Sequence, residues 1–236
     1  MTHMARISVL IPAYNEERYI EACLRSIRAQ TEKPYELIVI NNNSKDKTGE
    51  LAAKLADRII FEPRLGVVHA LNAGIKAARG DYVAITGADC IADKNWIKSI
   101  RLALRDEPVA VFGPIYSLSR RNKKLRFVYY FIWHVVAKTL SHTSISMAPG
   151  GNCALKRSAV IAAGGYDPAM VPGEDIELTK RIRKMGKLRF VDSAKVFAST
   201  RRFEENGVWK ETKNWLKVFF RMEAGRPKTY KYFKYE

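Results

Sequence analysis

The chain has 236 residues, with 41 lysines and arginines against 24 acids, a net charge of +17, and 47% hydrophobic residues. That much apolar material excludes a wholly disordered or collagen-like chain, and the length suits one sizeable core. Three scattered cysteines (Cys23, Cys90, Cys153) without a C-x-x-C argue against a disulfide scaffold or thiolate zinc site, and for a reducing compartment.

Met1–Met4 lacks the basic start and long apolar stretch of a secretory signal. Ile7–Ile11 reads as a buried strand that Pro12 is expected to stop, because proline cannot donate to a ladder. Asn15 is a candidate cap for a helix from Glu16 to about Gln30, with Ile20, Cys23, Leu24 and Ile27 on one face. Leu37–Ile40 is a second buried strand. Ser44 is expected to cap a helix over Lys47–Ala56, followed by a short strand at Arg58–Phe61. Gly66–Ala78 reads as a helix, Tyr82–Thr86 as a strand, Asn95–Arg105 as a helix with Asp93 as its cap, and Val109–Phe112 as a strand. Alternation of this kind, with short connections, predicts an α/β fold with a mostly parallel sheet covered on both faces. Ligands bind such sheets beyond the carboxyl ends of the strands, which gathers Pro12–Glu16, Asn41–Asp46 and Gly87–Asp93 on one rim.

The second half is less regular. Arg121–Leu140 reads as a helix with an aromatic face, Pro149–Asn152 as a loop, Cys153–Leu155 as a strand and Arg157–Ala163 as a helix. Glu174–Met185 is a helix with Ile176, Leu178, Ile182 and Met185 on its buried side. Gly207–Ala224 carries Trp209, Trp215, Leu216, Phe219 and Phe220 on one flank and lysines opposite. The longest apolar run, Phe127–Ala137, is shorter than the roughly 20 residues a membrane span needs. A soluble or peripheral protein is expected, cytoplasmic or at the inner face of the cell membrane. Basic residues cluster from Ile115 to Leu140, where no acid occurs, and again from Lys210 to Lys234. Charge of this kind suits polyanions, or else simply two solvated faces.

Taken in order, Ile11-Pro12-Ala13-Tyr14-Asn15-Glu16-Glu17, Ile40–Thr48, Ala70-Leu71-Asn72-Ala73-Gly74, Arg79-Gly80-Asp81-Tyr82, Gly150–Arg157, Gly164-Gly165-Tyr166-Asp167 and Gly173–Leu178 resemble the family 2 glycosyltransferases. The resemblance covers about residues 6–200. It implies a GT-A (Rossmann-like) domain over residues 1–236: a nucleotide-sugar-binding half at about 6–113, an acceptor half at about 114–200, and a basic aromatic helical tail at about 201–236. It also implies an inverting transferase that uses a nucleoside-diphosphate sugar with Mn²⁺ or Mg²⁺. UDP is the first expectation for the donor, with GDP and dTDP open.

On that resemblance, Asp89 corresponds to the last Asp of the D-x-D metal motif, whose first Asp is replaced by Gly87. A hard cation wants such a carboxylate and neutralises the departing diphosphate. Asp175 matches the base that deprotonates the acceptor hydroxyl, with Glu174 orienting beside it; by position alone both are also ordinary helix-start residues. Pro12 and Tyr14 belong to the base-binding loop, where Tyr14 offers a flat ring to the base or to the core. Glu16 offers an acceptor to base or ribose, or a dipole partner to the helix start. Asn42 stands where relatives carry a uracil-reading Asp. Leu71 replaces a diphosphate-binding Arg, so Arg64 or a C-terminal Arg is a candidate substitute. Asn72 belongs to the donor-side motif. Arg201 and Arg202 stand near a processive family motif that is itself absent, which implies single addition, and guanidinium forks suit diphosphates.

The acceptor implied is a hydroxyl of a lipid-linked or cell-envelope glycan. A polyprenyl-phosphate sugar synthase is the alternative. The aromatic, basic stretches resemble interfacial anchors, or else pack on the sheet; the former predicts peripheral association with anionic membrane. A non-enzymatic nucleic-acid binder is the rival class, supported by charge alone, and nucleic acid is not an expected partner.

Overall fold

Four strands from the first half form one side of a sheet in the computed structural model, which describes residues 4–119, 122–141, 150–170 and 172–224, the side chains of Trp133 and Glu223 excepted. Expectations resting on Met1, Arg120, Arg121, Pro149 and the basic stretch beyond residue 224 lie outside the described residues. Strands β1 (Ile7–Ala13), β2 (Glu36–Asn41), β3 (Arg58–Phe61) and β4 (Tyr82–Thr86) pair in parallel in the order β3-β2-β1-β4. From the second half, β8 (Asn152–Lys156) inserts antiparallel between β4 and β6 (Ala110–Phe112), and β9 (Leu188–Phe190) closes the edge parallel to β6. The expected halves therefore share one sheet.

Alternation along β1 divides the core. Ile7, Val9 and Ile11 pack on one side with α1 (Ile20–Arg28) and α4 (Trp96–Ala103), while Leu10 joins α3 (Val67–Ala77), α7 (Arg157–Ala162) and α8 (Glu174–Ile182) on the other. The four expected α1 residues, Ile20, Cys23, Leu24 and Ile27, are buried. Each fully buried Ile or Leu contributes about 1.5–3 kcal/mol.

A second sheet, of β5 (Cys90–Ala92), β10 (Val196–Ala198) and β7 (Ile115–Ser117) in the order β5-β10-β7, has no counterpart in the sequence expectations. It is tied to the main sheet through a buried polar knot. Trp96 Nε1 donates to Asn152 Oδ1 at 2.8 Å, and Asn152 Nδ2 donates to the carbonyls of Pro114 (2.9 Å) and Ala194 (2.7 Å).

Several local expectations are corrected. Pro12 does not stop β1, which runs on to Ala13. Asn42 N–H donates to Ala13 C=O and Tyr35 N–H to Ile7 C=O, so the odd residues of β1 face β2. Pro12 faces the β4 side, where pairing has already ended at Leu10, and its missing N–H costs no ladder bond. Asn15 caps no helix: it takes a left-handed φ of 52°, and α1 starts only at Ile20, after a turn in which Glu16 C=O accepts from Tyr19 and Ile20. Ser44 accepts from Asn15 N–H, and Asp46 Oδ1 instead receives the N–H of Thr48 at the start of α2 (Thr48–Ala53). Asp93 does not cap α4 either: Asn95 holds the N-cap position without a side-chain bond, and Asp93 accepts from Asn95 N–H at 2.9 Å in the turn before the helix. Met185 lies in a 3-10 turn beyond α8 and is exposed.

The aromatic helices pack and protrude at once. The Arg121–Leu140 region comprises α5 (Lys123–Tyr130), a π-helical stretch (Phe131–Val136) and α6 (Ala137–Ser141). Leu125 and Tyr129 are buried, whereas Phe127 and Phe131 are exposed. In α10 (Val208–Glu223), Phe219 and Met222 are buried and Trp209 and Phe220 are exposed.

Candidate active site

The carboxyl ends of β1, β2 and β4 open on one cavity of about 430 Å³. Pro12, Tyr14 and Glu16 reach it from β1, Asn42 from β2, and Thr86, Gly87, Ala88 and Asp89 from β4. Leu71 of α3 adds an apolar wall. The far wall comprises Gly150, Gly151, Glu174 and Asp175, with Arg201 and Arg202 at the start of α9 (Arg201–Asn206).

The two donor-side loops are laced together. Asn15 Oδ1 accepts from Lys45 N–H at 2.8 Å, Asn15 N–H donates to Ser44 Oγ, and Glu16 N–H donates to Thr48 Oγ1 at 2.7 Å. Asn42 is buried, and its amide holds the neighbouring turn: Nδ2 donates to Glu62 C=O (3.0 Å) and Arg64 C=O (2.6 Å), while Oδ1 accepts from Gly66 N–H. Both amide hydrogens are spent, which leaves one Oδ1 lone pair for a ligand.

Two expected residues stand away from the cavity lining. Arg64 points outward and forks onto Glu62, with Nε–Oε1 2.8 Å and Nη2–Oε2 3.0 Å. That fork, ahead of burial, sets the Glu62 carboxyl, which is held at about 2. Asn72 exchanges two hydrogen bonds with the main chain of Tyr166, accepting from its N–H at 2.9 Å and donating to its C=O at 2.8 Å. It thus fixes a residue absent from the sequence-derived site, Tyr166, whose buried hydroxyl donates to Asp175. The signal was present in Gly164-Gly165-Tyr166-Asp167. Gly165 has φ +79°, and a Cβ there would meet Asn72 Oδ1 at 2.6 Å.

On the donor side, the Arg201 guanidinium forks onto Glu16, with Nη1–Oε2 at 2.8 Å and Nη2 against Oε1, and lies 5.1 Å over the Tyr19 ring. Arg201 Nη2 is also 3.6 Å from Asp89 Oδ2. Burial pushes the Glu16 carboxyl up and the Asp89 charge adds to this, against the pull of Arg201. Gly87, where the first motif Asp is missing, is close-packed: a Cβ there would stand 2.9 Å from Asp89 Oδ1. A divalent cation fits this corner on the chemistry of its donors. Asp89 is a cavity-facing carboxylate, and a protein cation already sits between it and Glu16. Among the described residues no cluster of three or more ligating side chains forms, so phosphate oxygens and water would complete the shell, as magnesium commonly requires.

On the far wall, Gly173 (φ +115°) turns the chain into α8, and its N–H donates to Glu174 Oε2 at 2.9 Å. Asp175 accepts from Gly150 N–H and from the Tyr166 hydroxyl. Burial, and then the Glu174 charge, push Asp175 well above the usual carboxylate range despite those two donors. Burial also raises Glu174, opposed by main-chain N–H groups and by Arg202. A carboxyl raised in this way binds a proton more readily than an ordinary one.

The glycosyl transferase family 2 model matches residues 8–163. A probable glycosyltransferase, YdaM of Bacillus subtilis, is 29% identical over 213 residues, covering 82% of this chain and 50% of that protein. The poly-β-1,6-N-acetyl-D-glucosamine synthase of Staphylococcus aureus is 27% identical over 223 residues, covering 89% of this chain and 53% of that protein. Against those two relatives the chain spans about half their length. Among solved structures, the mannosyltransferase PcManGT from Pyrobaculum calidifontis, in complex with GDP-Man and Mn²⁺, superposes with a TM-score of 0.72 at 24% identity, covering 97% of this chain and 66% of that one. The TarS 1-349 fragment from S. aureus, in complex with UDP-GlcNAc, gives 0.64 at 17% identity, covering 82% and 58%. At these identities the two structures speak for the fold, a mixed α/β GT-A arrangement as expected from the ordered motifs.

Proposed function

Since the chain belongs to glycosyl transferase family 2, we propose that it moves a single sugar, with inversion, from a nucleoside-diphosphate sugar to a hydroxyl of a lipid-linked or cell-envelope glycan. The observation that carries this reading is that Asp89 and Asp175, supplied by opposite halves of the chain, line one cavity. Donors of the UDP and GDP classes are favoured because neighbours of the fold are bound to UDP-GlcNAc and GDP-Man.

In this reading the Tyr14 ring covers the base, and Asp89 holds the divalent ion. That ion, when bound, stabilises the departing diphosphate as a Lewis acid. Arg201 and Arg202 offer guanidinium donors to the same phosphates, Arg201 by turning from Glu16. Asp175 takes the proton of the acceptor hydroxyl, while Gly150 N–H and the Tyr166 hydroxyl aim its carboxylate and Glu174 orients the acceptor. Among the described residues no helix is long and apolar enough to cross a membrane. Association with the membrane is proposed as peripheral, through basic and aromatic surface.

A thermal-shift panel of UDP-, GDP- and dTDP-sugars, with Mn²⁺, with Mg²⁺ and with chelator, tests the donor site. A ligand at about 100 times its Kd stabilises by ~2.7 kcal/mol. A metal-dependent rise with one nucleotide class is expected. Asp175→Asn should keep that rise and lose transfer; a fully active Asp175→Asn enzyme overturns the assignment of the base.

A further inference from the structure

The outer side of the helical segment that starts with α5 exposes aromatic side chains among its basic ones. Leu125 and Tyr129 fill the inner face of α5, yet Phe127 (66% exposed), with Phe131 (48%) and Val135 (37%) on the π-helical stretch that continues it, form a stripe on the opposite side, four residues apart. The Phe127 and Phe131 rings stack, with centroids 5.9 Å apart and an interplanar angle of 14°. A stacked, exposed phenylalanine pair is unfavourable in water and favourable in an interface.

Beside this stripe lies a second cleft, also of about 430 Å³, lined by Tyr116, Lys123, Arg126, Phe127, Tyr130 and Phe197. Its floor is the outer row of the small sheet, where Tyr116 and Phe197 are cross-strand neighbours. Among the described residues two cations and four aromatic rings line it, with no carboxylate, and in the sequence no acid occurs between Ile115 and Leu140. Asp192, which lies against this helical segment, is engaged by Lys138 at 2.7 Å and His134 at 3.1 Å.

We propose that the α5 stripe and its cleft form a bilayer-docking surface for anionic phospholipid. The head-group phosphate lies against Lys123 and Arg126, and Phe127 and Phe131 enter the interface. The proposal rests on the peripheral association put forward above and assigns it a surface and a lipid chemistry. Charge selects the occupant. Two copies meeting through this face would bring Lys123, Lys124 and Arg126 against their own counterparts, whereas an anionic leaflet offers the opposite sign. Stacked rings beside basic side chains are the composition of interfacial helices, not of a solvated one.

The test uses the intact protein and sedimentation with vesicles of phosphatidylglycerol and phosphatidylcholine, against phosphatidylcholine alone. Binding is expected only with phosphatidylglycerol, and is weakened by high salt. Each lysine or arginine near an anionic surface contributes about fivefold, so Lys123→Gln/Arg126→Gln should bind ~25-fold more weakly. Phe127→Ser/Phe131→Ser should lose vesicle binding, while Trp209→Ser/Phe220→Ser on α10 stays within about twofold of the parent. An unchanged donor-induced thermal shift in each variant shows that the fold is intact. Phe131→Trp supplies a direct readout, since its emission should move to the blue on phosphatidylglycerol vesicles. If the parent protein ignores these vesicles, the peripheral association itself fails. If the parent binds and Phe127→Ser/Phe131→Ser binds equally, or the α10 pair abolishes binding, the surface is wrongly assigned. A dimer in solution that Phe127→Ser/Phe131→Ser dissolves would give this face to a second copy and overturn the proposal.

Discussion

Gly150→Ala separates the placing of a base from the binding of a donor. A Cβ on Gly150 would stand 2.0 Å from one Asp175 oxygen, 2.2 Å from Cγ and 2.3 Å from the other oxygen. Ordinary contact begins at 3.4 Å, so the side chain must retreat by about 1.4 Å (3.4 − 2.0). Spinning the carboxylate about Cβ–Cγ gives no relief, because Cγ itself is in the way. A change at χ1 is required, and it draws the oxygens off the Tyr166 hydroxyl and Gly150 N–H. A reacting group displaced by ~1 Å costs about 100-fold, or ~2.7 kcal/mol of barrier. The assay pairs nucleotide release, using the donor found by thermal shift and an envelope lipid extract as acceptor, with calorimetry of donor binding. The expected result is kcat down about 100-fold with donor Kd within about twofold. A variant with parental kcat, or one whose donor affinity falls as far as its kcat, would refute Asp175 as a base held by Gly150.

Other perturbations probe neighbouring contacts. Tyr166→Phe removes a donor that lowers the Asp175 pKa, so that value rises further; because the base works ionised, the acid limb of kcat against pH should move to higher pH. An unmoved limb would mean that Asp175 is not the group titrating. Arg201→Gln leaves Glu16 buried without its fork, and urea unfolding at neutral pH should show a loss of ~1–3 kcal/mol. Burial already disfavours the ionised Glu16 carboxylate, and losing Arg201 disfavours it further. The deficit should therefore shrink as pH falls through the raised value, and a deficit that grows with acid contradicts this. Asn152→Ala orphans Trp96 Nε1 and two carbonyls, and should lower stability by about 3 kcal/mol by urea midpoint, at unchanged m.

What the sequence disclosed was governed by range. Ile7–Ile11, Leu37–Ile40 and Tyr82–Thr86 are continuous apolar runs because both faces of a central parallel strand are covered, and such runs are visible locally. The strands β5, β7, β9 and β10 have three residues each, too few for a period to register, and their pairing partners are remote. Pro12 misled because its local rule depends on which neighbour the residue faces, a fact settled only by the sheet order. In the site, ordered loops at strand ends were legible from topology, and Tyr14, Glu16, Asn42, Asp89, Glu174, Asp175, Arg201 and Arg202 do meet at one cavity. The partners of individual side chains were not. Arg64 is captured by Glu62 two residues away, and Asn72 by Tyr166 across the fold, where the Gly164-Gly165 pair marks a close approach without naming its partner.

Strand β10 is a party wall between two rooms. Phe197 floors the cleft beside α5, and a few residues later the same chain delivers Arg201 to the clasp on Glu16, while Ser199 N–H holds the carbonyl of Asp89. Whatever one room does to this wall, the other feels in equal measure, because coupling between two binding equilibria is reciprocal. The factor by which vesicles alter donor affinity must equal the factor by which donor alters vesicle affinity. Measuring the cheaper of the two therefore yields both, and a factor of one would identify the wall as rigid masonry rather than a hinge.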